Sequence, residues 1–298
     1  MELGFLNISK SPGYTSHDVI AILRKSLGIK KIGHFGTLDP FATGVLVIGI
    51  NDATRLFEYL PSDKVYLAEI TFGIETDTDD ITGKVTNNSA TIPTLIKIKE
   101  KLLSFTGKVK QKPPIFSAIK INGNRAYNLA RKNEINLADM KEKEVEIYST
   151  EIVSYDVEAG CGKPLLKLKI HCSSGTYIRS IARDLGKELN TYGTLSALQR
   201  IKIGNSFSLE NSIELKSINK LNLQERLIPP SNILKLGKIY INDKQMIDIM
   251  HGRLIKVEAQ LTTSLIQIFD NNNRLIAIGQ ATNDCIIKPE KVFIKNGN

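Results

Sequence analysis

The stretch GHFGTLDPFATGVL, from Gly33 to Leu46, carries a single carboxylate, Asp39, held between a leucine and a proline in a glycine-rich segment. A surface turn has no need of the apolar neighbours Leu38 and Pro40, and a metal site needs more ligands. By itself an Asp before Pro is a turn former more often than a reagent. The remaining reactive side chains do not form a familiar set. The four histidines (His17, His34, His171, His251) are scattered without metal-ligand spacing. The three cysteines (Cys161, Cys172, Cys285) are an odd count with no C-x-x-C pair, so neither a disulfide framework nor a zinc knuckle is indicated. No metal and no cofactor are expected.

The elements that must hold Asp39 are readable in outline. GFLNIS (4–9) reads as a short strand ending in the turn KSPG, and Ser16 as the N-cap of a helix over HDVIAILRKSL that Gly28 closes. A basic bend, GIKKIGHFGTLDP, feeds the buried-strand candidate GVLVIGI (44–50), and a short helix follows from Asp52 to about Tyr59. KVYLAEITFG (64–73) alternates and reads as a strand, with Tyr66 on it. The segment 91–107 reads as a helix with Pro93 near its first turn and Gly107 as its stop. Residues 111–133 read as a proline-marked loop, a short strand, an Asn-Gly turn at 122–123 and a small helix. Two strands (144–158, 164–172) precede a helix that starts near Thr176 and carries Arg179. Strands and helices interleave without a regular βαβ period, which predicts an α/β (α+β) fold with a mixed sheet flanked by helices.

Near LIPPSNIL (227–234) the character changes to short candidate strands, KIYIN, RLIKVEA, SLIQIFD and RLIAIGQA, between polar turns. That pattern predicts a small β-barrel or sandwich, with domains at 1–236 and 237–298. The chain of 298 residues is 42% hydrophobic and 24% charged, ordinary for a globular protein with a sizeable core. Its 40 Lys+Arg against 31 Asp+Glu leave +9, a surplus that favours a polyanionic partner such as nucleic acid or an anionic membrane surface. The start lacks the apolar core of a signal peptide, and GVLVIGI is too short to span a bilayer. A cytoplasmic protein without membrane attachment is expected.

Taken in order, GHFGTLDPFATGVL, KVYLAEITFGIETDTDDITG (64–83), PPIFSAIKINGNRAYNLAR (113–131) and SSGTYIRSIARDLG (173–186) resemble the motifs of the tRNA pseudouridine synthase B family, which also includes the dyskerin branch. The likeness covers residues 4–205, and four long motifs in the right order are highly specific. The resemblance implies a pseudouridine synthase fold with a largely antiparallel central sheet. It also implies isomerisation of uridine 55 in the TΨC arm of tRNA, with no cofactor and no obligatory protein partner. The small basic tail is similar in position and character to an RNA-binding PUA domain.

The same resemblance makes Asp39 the nucleophile of a reaction that breaks the C1′–N1 bond of uridine and rejoins the base through C5. A carboxylate does this by adding to the ribose or to the base, and both routes need it ionised. Burial opposes that, and an adjacent cation offsets it. The family gives this part to the arginine of GTYIR, here Arg179. Tyr66 would stack on the flipped base, its phenol being a poor proton acceptor unless perturbed. His34 would stack in the gap that the base leaves, and Tyr177 and Leu198 would line the uracil pocket. Lys30, Lys31, Lys64, Arg125 and Arg131 are the candidate phosphate contacts, to position an RNA read mostly by shape and splayed bases. Two departures stand out: Ser11 in KSPGYTS (10–16), where the family has proline, and Gln199 before Arg200, where a second arginine is common. A non-catalytic RNA-binding protein would share the charge and the tail, but not Asp39, Tyr66 and Arg179 together. A guide-RNA-dependent enzyme of the dyskerin kind would be expected to carry long basic extensions.

Overall fold

A computed structural model of the chain describes residues 3–159, 162–258, 261, 263–283 and 285–294. Strand β1 (Gly4–Lys10) turns into helix α1 (Ser16–Leu27), followed by β2 (Ile32–Phe35) and β3 (Thr43–Ile50). A 3₁₀-helix over Asn51–Tyr59 leads to β4 (Lys64–Phe72) and a small hairpin of β5 (Ile74–Thr76) with β6 (Val85–Asn88). Then come α2 (Leu95–Ser104), β7 (Gly107–Gln111), the hairpin of β8 (Lys120–Ile121) with β9 (Asn124–Arg125), and α3 (Ala126–Arg131). The long β10 (Lys143–Asp156) and β11 (Leu165–Cys172) precede α4 (Ile178–Glu188) and β12 (Gly193–Ile203). Two short strands, β13 (Phe207–Ser208) and β14 (Ile213–Glu214), end this part.

These strands form a ten-stranded mixed sheet in the order β14-β1-β3-β12-β4-β11-β10-β7, with β2 on β3 and β13 on β12. Most neighbours are antiparallel. The exceptions are β1 with β14 and β3 with β12, the latter joined only through Gln199↔Thr43 and Arg200↔Gly44. That narrow seam, where β3 leaves the Asp39 loop, is where the site forms.

Strand β3 is buried along nearly its whole length because both of its faces are covered. Successive side chains point to opposite faces. Leu46, Ile48 and Ile50 join the core under α1 and α4, while Val45 and Val47 join a second core with Phe5, Leu56, Phe207 and Ile233. That is why its sequence is an unbroken apolar run.

The tail builds a second, five-stranded sheet from β15 (Gly237–Tyr240), β16 (Ile255–Lys256), β17 (Leu265–Phe269), β18 (Leu275–Asn283) and β19 (Ile286–Val292), with helix α5 (Asp243–Met250) before β16. It has its own core of Ile241, Ile249, Ile266, Ile268, Ile276 and Ile287. Ile278 reaches into the second core of the large sheet. Arg55 donates to Val292 O (2.8 Å), and Lys291 ion-pairs with Glu58.

Local expectations needed correction. Helix α1 is capped by Thr15, which shares a capping box with Asp18, so Ser16 is its first residue and is buried. Thr94 caps α2 directly after Pro93, as expected, but Gly107 opens β7 at φ +87° instead of closing the helix. Helix α4 starts at Ile178, two residues after Thr176. The Asn-Gly turn is as expected, with Asn122 and Gly123 both left-handed (φ 49° and 84°) between β8 and β9. Of RLIKVEA only Ile255–Lys256 is strand. The end of that run at Ala259, like Cys161, falls outside the described residues.

Candidate active site

The Asp39 loop is held by hydrogen bonds to its own backbone. The carbonyls of Gly36 and Thr37 accept from Arg200 Nη2 (3.0 Å) and Nη1 (3.3 Å). Both backbone groups of Leu38 meet Ser16 Oγ, at 2.9 Å for the N–H and 3.3 Å for the carbonyl. Asp39 O accepts from Ala42 N (3.1 Å), and Pro40 O accepts from Gly13 N (2.9 Å) and Lys10 Nζ (3.2 Å). Arg200 Nε closes the set on Val45 O (2.8 Å). Every carbonyl from Gly36 to Pro40 therefore has a partner, and the loop has little freedom left. At the exit Gly44 has φ +100°, and a Cβ there would lie 2.2 Å from Arg200 O. Only glycine fits.

Asp39 and Arg179 meet in a two-point pair. Nη2 donates to Oδ1 at 3.1 Å and Nε lies 3.0 Å from Oδ2. The third arm of the guanidinium, Nη1, donates to Thr78 O and Phe116 O (3.2 Å each) and lies 3.4 Å from Asp80 Oδ2. Side-chain exposure is 31% for Asp39 against 8% for Arg179 and 5% for Asp80. The acid is thus the reachable member of the cluster and the cation is walled in. Burial pushes the Asp39 carboxyl above its ordinary range; Arg179 opposes the shift and Asp80 adds to it.

Helix α4 presents Arg179 and Arg183 one turn apart on the same face. Arg183 pairs with Asp79 (2.9 Å) and Asp184 (2.8 Å), which secures the loop that carries Asp80. The start of α4 is set by Gln111, whose amide accepts from Tyr177 N (2.8 Å) and donates to Tyr177 O (2.9 Å).

Tyr66 and Leu198 stand on the adjacent strands β4 and β12, each 7% exposed, in the core that also holds Leu38. The Tyr66 phenol is pushed upward by burial, against the effect of Arg200. Burial also raises the Tyr177 phenol. The structure therefore brings Asp39 and Arg179 into direct contact, with Tyr66 and Leu198 buried in one core and Tyr177 heading the helix of Arg179.

The other candidates lie at differing depths. His34 on β2 is half-buried, its Nδ1 enclosed without a hydrogen-bond partner, and burial lowers its basicity, with His17 and Arg200 adding to the effect. Lys30 and Lys31 are exposed, and Lys31 ion-pairs with Asp52. Arg125 and Arg131 are exposed and flank the ring of Tyr127 at 5.9 and 5.7 Å. Lys64 is only 6% exposed. Its ammonium donates to Ser62 O (2.7 Å) and Ser174 Oγ (3.3 Å), and burial pulls it down to about 8.

Asp80, Ser16 and Arg200 had no part in the site from the sequence, in which Ser16 reads only as a helix cap. Arg200 is fully buried, and its guanidinium donates to the carbonyl oxygens of Gly36, Thr37 and Val45 and also hydrogen-bonds the Tyr66 phenol. TDTDDITG offers three acids without saying which faces Arg179. Among the described residues no three His, Cys, Asp or Glu side chains group as a metal site, and no helix is long and apolar enough to cross a membrane.

The profile of the TruB family pseudouridylate synthase N-terminal domain matches residues 24–178. The chain is 41% identical to tRNA pseudouridine synthase B of Microcystis aeruginosa, over 97% of this chain and 99% of that one. The chain belongs to the TruB pseudouridylate synthase family. Its enzyme class is therefore that of the isomerases that turn uridine into pseudouridine. A second relative, tRNA pseudouridine synthase B of Caldanaerobacter subterraneus, is 38% identical over 97% of this chain and 99% of its own length. Among solved structures, a chain of a Cbf5–Nop10–Gar1 complex aligns over 98% of this chain and 85% of its own, with a TM-score of 0.68 at 24% identity. That likeness shows the pseudouridine synthase fold.

Proposed function

We propose that this protein converts uridine 55 in the TΨC arm of tRNA to pseudouridine, with Asp39 as the nucleophile. The relatives named tRNA pseudouridine synthase B, aligned over nearly their full length, support tRNA as substrate. The observation that carries the Asp39 assignment is its two-point pair with a buried arginine on a fully bonded loop. A carboxylate so placed is charge-paired, partly open and already aimed, so little reorganisation remains when the uridine arrives.

In the reaction the C1′–N1 bond breaks, the base turns, the C1′–C5 bond forms, and the C5 proton is lost as N1 gains one. Addition of Asp39 to the ribose or to the base begins either route. Tyr66 holds the uracil by its face, and its raised phenol makes it a stacking partner in preference to a proton acceptor. Leu198 and Tyr177 line the pocket, and His34 fills the gap in the stack. Lys30, Lys31, Lys64, Arg125 and Arg131 serve the phosphates. Residues 1–236 are the catalytic domain and 237–298 a PUA-like RNA-binding domain. The work is done in the cytoplasm.

The test is direct. Purified protein incubated with unmodified tRNA transcript, followed by chemical mapping of pseudouridine, should give one new pseudouridine, at position 55. Modification at another position, or none, would refute the assignment.

A further inference from the structure

Beside the Asp39 loop, helix α1 and strand β2 enclose a second concavity of about 570 Å³, lined by His17, Ala21, Arg24, Ile32, Gly33 and His34. Its size falls within the roughly 300–1,000 Å³ of small-molecule sites. His17, Ala21 and Arg24 follow one another at helical spacing, so they share one face of α1. We propose that this groove holds a nucleotide adjacent to the target uridine in the same RNA strand, its base against His17 and His34 and its phosphate on Arg24. The proposal rests on the RNA-isomerase reading above, in which His34 fills the gap in the stack, and extends it to His17 and Arg24, to which that reading gives no part.

Three observations carry it. The first is the corner made by the two imidazoles. Their centroids lie 5.7 Å apart at 64°, so a base lying on one ring meets the edge of the other. Stacking on aromatic side chains is the usual way in which proteins hold splayed bases. The second is His34 itself. Its Nδ1 is buried without a hydrogen-bond partner, and burial lowers the basicity of the ring, with His17 and Arg200 adding to the effect. A ring of lowered basicity with one unspent nitrogen suits a base better than a phosphate.

The third is Arg24 at the far end of the groove. Its Nη2 donates to Ile32 O (2.9 Å), which ties the guanidinium to β2 while the residue stays exposed. Lys25, Lys30 and Lys31 are exposed nearby in the chain. Asp18 also borders the groove, but its Oδ2 is taken up by Thr15 N (2.8 Å) and Thr15 Oγ1 (2.7 Å) in the helix cap. Continuity with the reacting centre comes from two short links. Ser16, next to His17, holds Leu38, and His34 lies on the strand that enters the Asp39 loop. A strand that delivers uridine to Asp39 has this groove as its adjoining berth.

The test uses TΨC stem–loop RNAs, each with one abasic nucleotide at a position flanking the target uridine, and measures their binding to the parent protein and to His17→Ala. His17 is exposed, so the variant keeps the fold. One abasic position should weaken binding to the parent by about five- to a hundred-fold. The same abasic RNA should then bind His17→Ala no more weakly than intact RNA does. In Arg24→Gln the slope of log affinity against log salt should flatten by roughly 0.7 to 0.9. Equal abasic losses in parent and His17→Ala at every position would overturn the groove assignment, whatever the salt slope. Conversion of the intact stem–loop by the parent, measured in the same buffer, tests the isomerase reading separately.

Discussion

Asp39 keeps a third of its side chain open while burial pushes its carboxyl upward, and the two neighbours that tune it pull in opposite directions. A raised carboxylate is lost by protonation at a higher pH than a free one. Single-turnover rates should therefore fall on the acid side, with an apparent midpoint above the ordinary aspartate value of about 3.9. In Asp80→Asn a like charge is gone, so the limb should move to lower pH although Arg179 loses a tether. In Arg179→Lys the two-point pair is gone and the limb should move up. A limb that stays in place in both variants would mean that some other group titrates. Lys64 supplies a second test, because its ammonium loses its proton near pH 8 in the free protein. A phosphate brought close raises that value, so RNA binding takes up protons at and above pH 8 and affinity falls as pH rises through that range. Calorimetry in buffers of different ionisation heat should show the uptake, and Lys64→Met should lose most of it. Binding without proton uptake at pH 8 would place the phosphates elsewhere.

The loop that carries Asp39 depends on β12, the strand least apparent from the sequence. GTLSALQRIKI alternates poorly because β12 shifts register against β4 between Leu195 and Ala197 and between Arg200 and Lys202. Each bulge adds a residue and turns the pattern over. A charged residue at the centre also argues against a buried strand until its carbonyl partners are known. By contrast GVLVIGI was plain, being covered on both faces, and so was the Asn-Gly hairpin, whose turn chemistry is local. The helix α5 carried a readable sign, Asn242 followed by Gln245 in a capping box, which the strand-like runs on either side obscured. Arg200→Met would leave the carbonyls of Gly36, Thr37 and Val45 without their donor. At about 1–3 kcal/mol for each unsatisfied buried group, the loss should reach about 3 kcal/mol or more. Denaturant unfolding should report that loss, and turnover should fall with it. Arg200→Lys, which keeps one donor nitrogen and the charge, should recover part of both. Gly44→Ala meets a backbone oxygen and should be at least as damaging.

Across the molecule, the motif likeness pointed to Asp39, Tyr66 and Arg179, but no spacing along the chain told that residues 140 positions apart form a two-point pair. Contact at that separation is a property of the assembled sheet and of α4 packed over it. Likewise, the tail was readable as a small β unit, whereas its packing through Ile278 onto the second core was not. That packing bears on how the tail is tested, since removing it would uncover Ile233 and Leu234. Neutralising the exposed Lys238, Lys244, Arg253 and Lys256 in place is the cleaner experiment. The fourfold glutamine variant should bind tRNA more weakly and with a flatter salt dependence, and unchanged binding would remove the tail from the RNA interface. The central claim remains that a pre-aimed carboxylate starts the isomerisation, and Asp39→Asn tests it most directly. The substitution is nearly isosteric, so the loop bonds to Arg200, Ser16, Gly13 and Ala42 should survive. With protein in excess over tRNA in a single turnover, tRNA binding should stay within a few fold of the parent and no pseudouridine should form. Pseudouridine formed at a rate near the parent's, with deamidation back to aspartate excluded by mass spectrometry, would contradict the account.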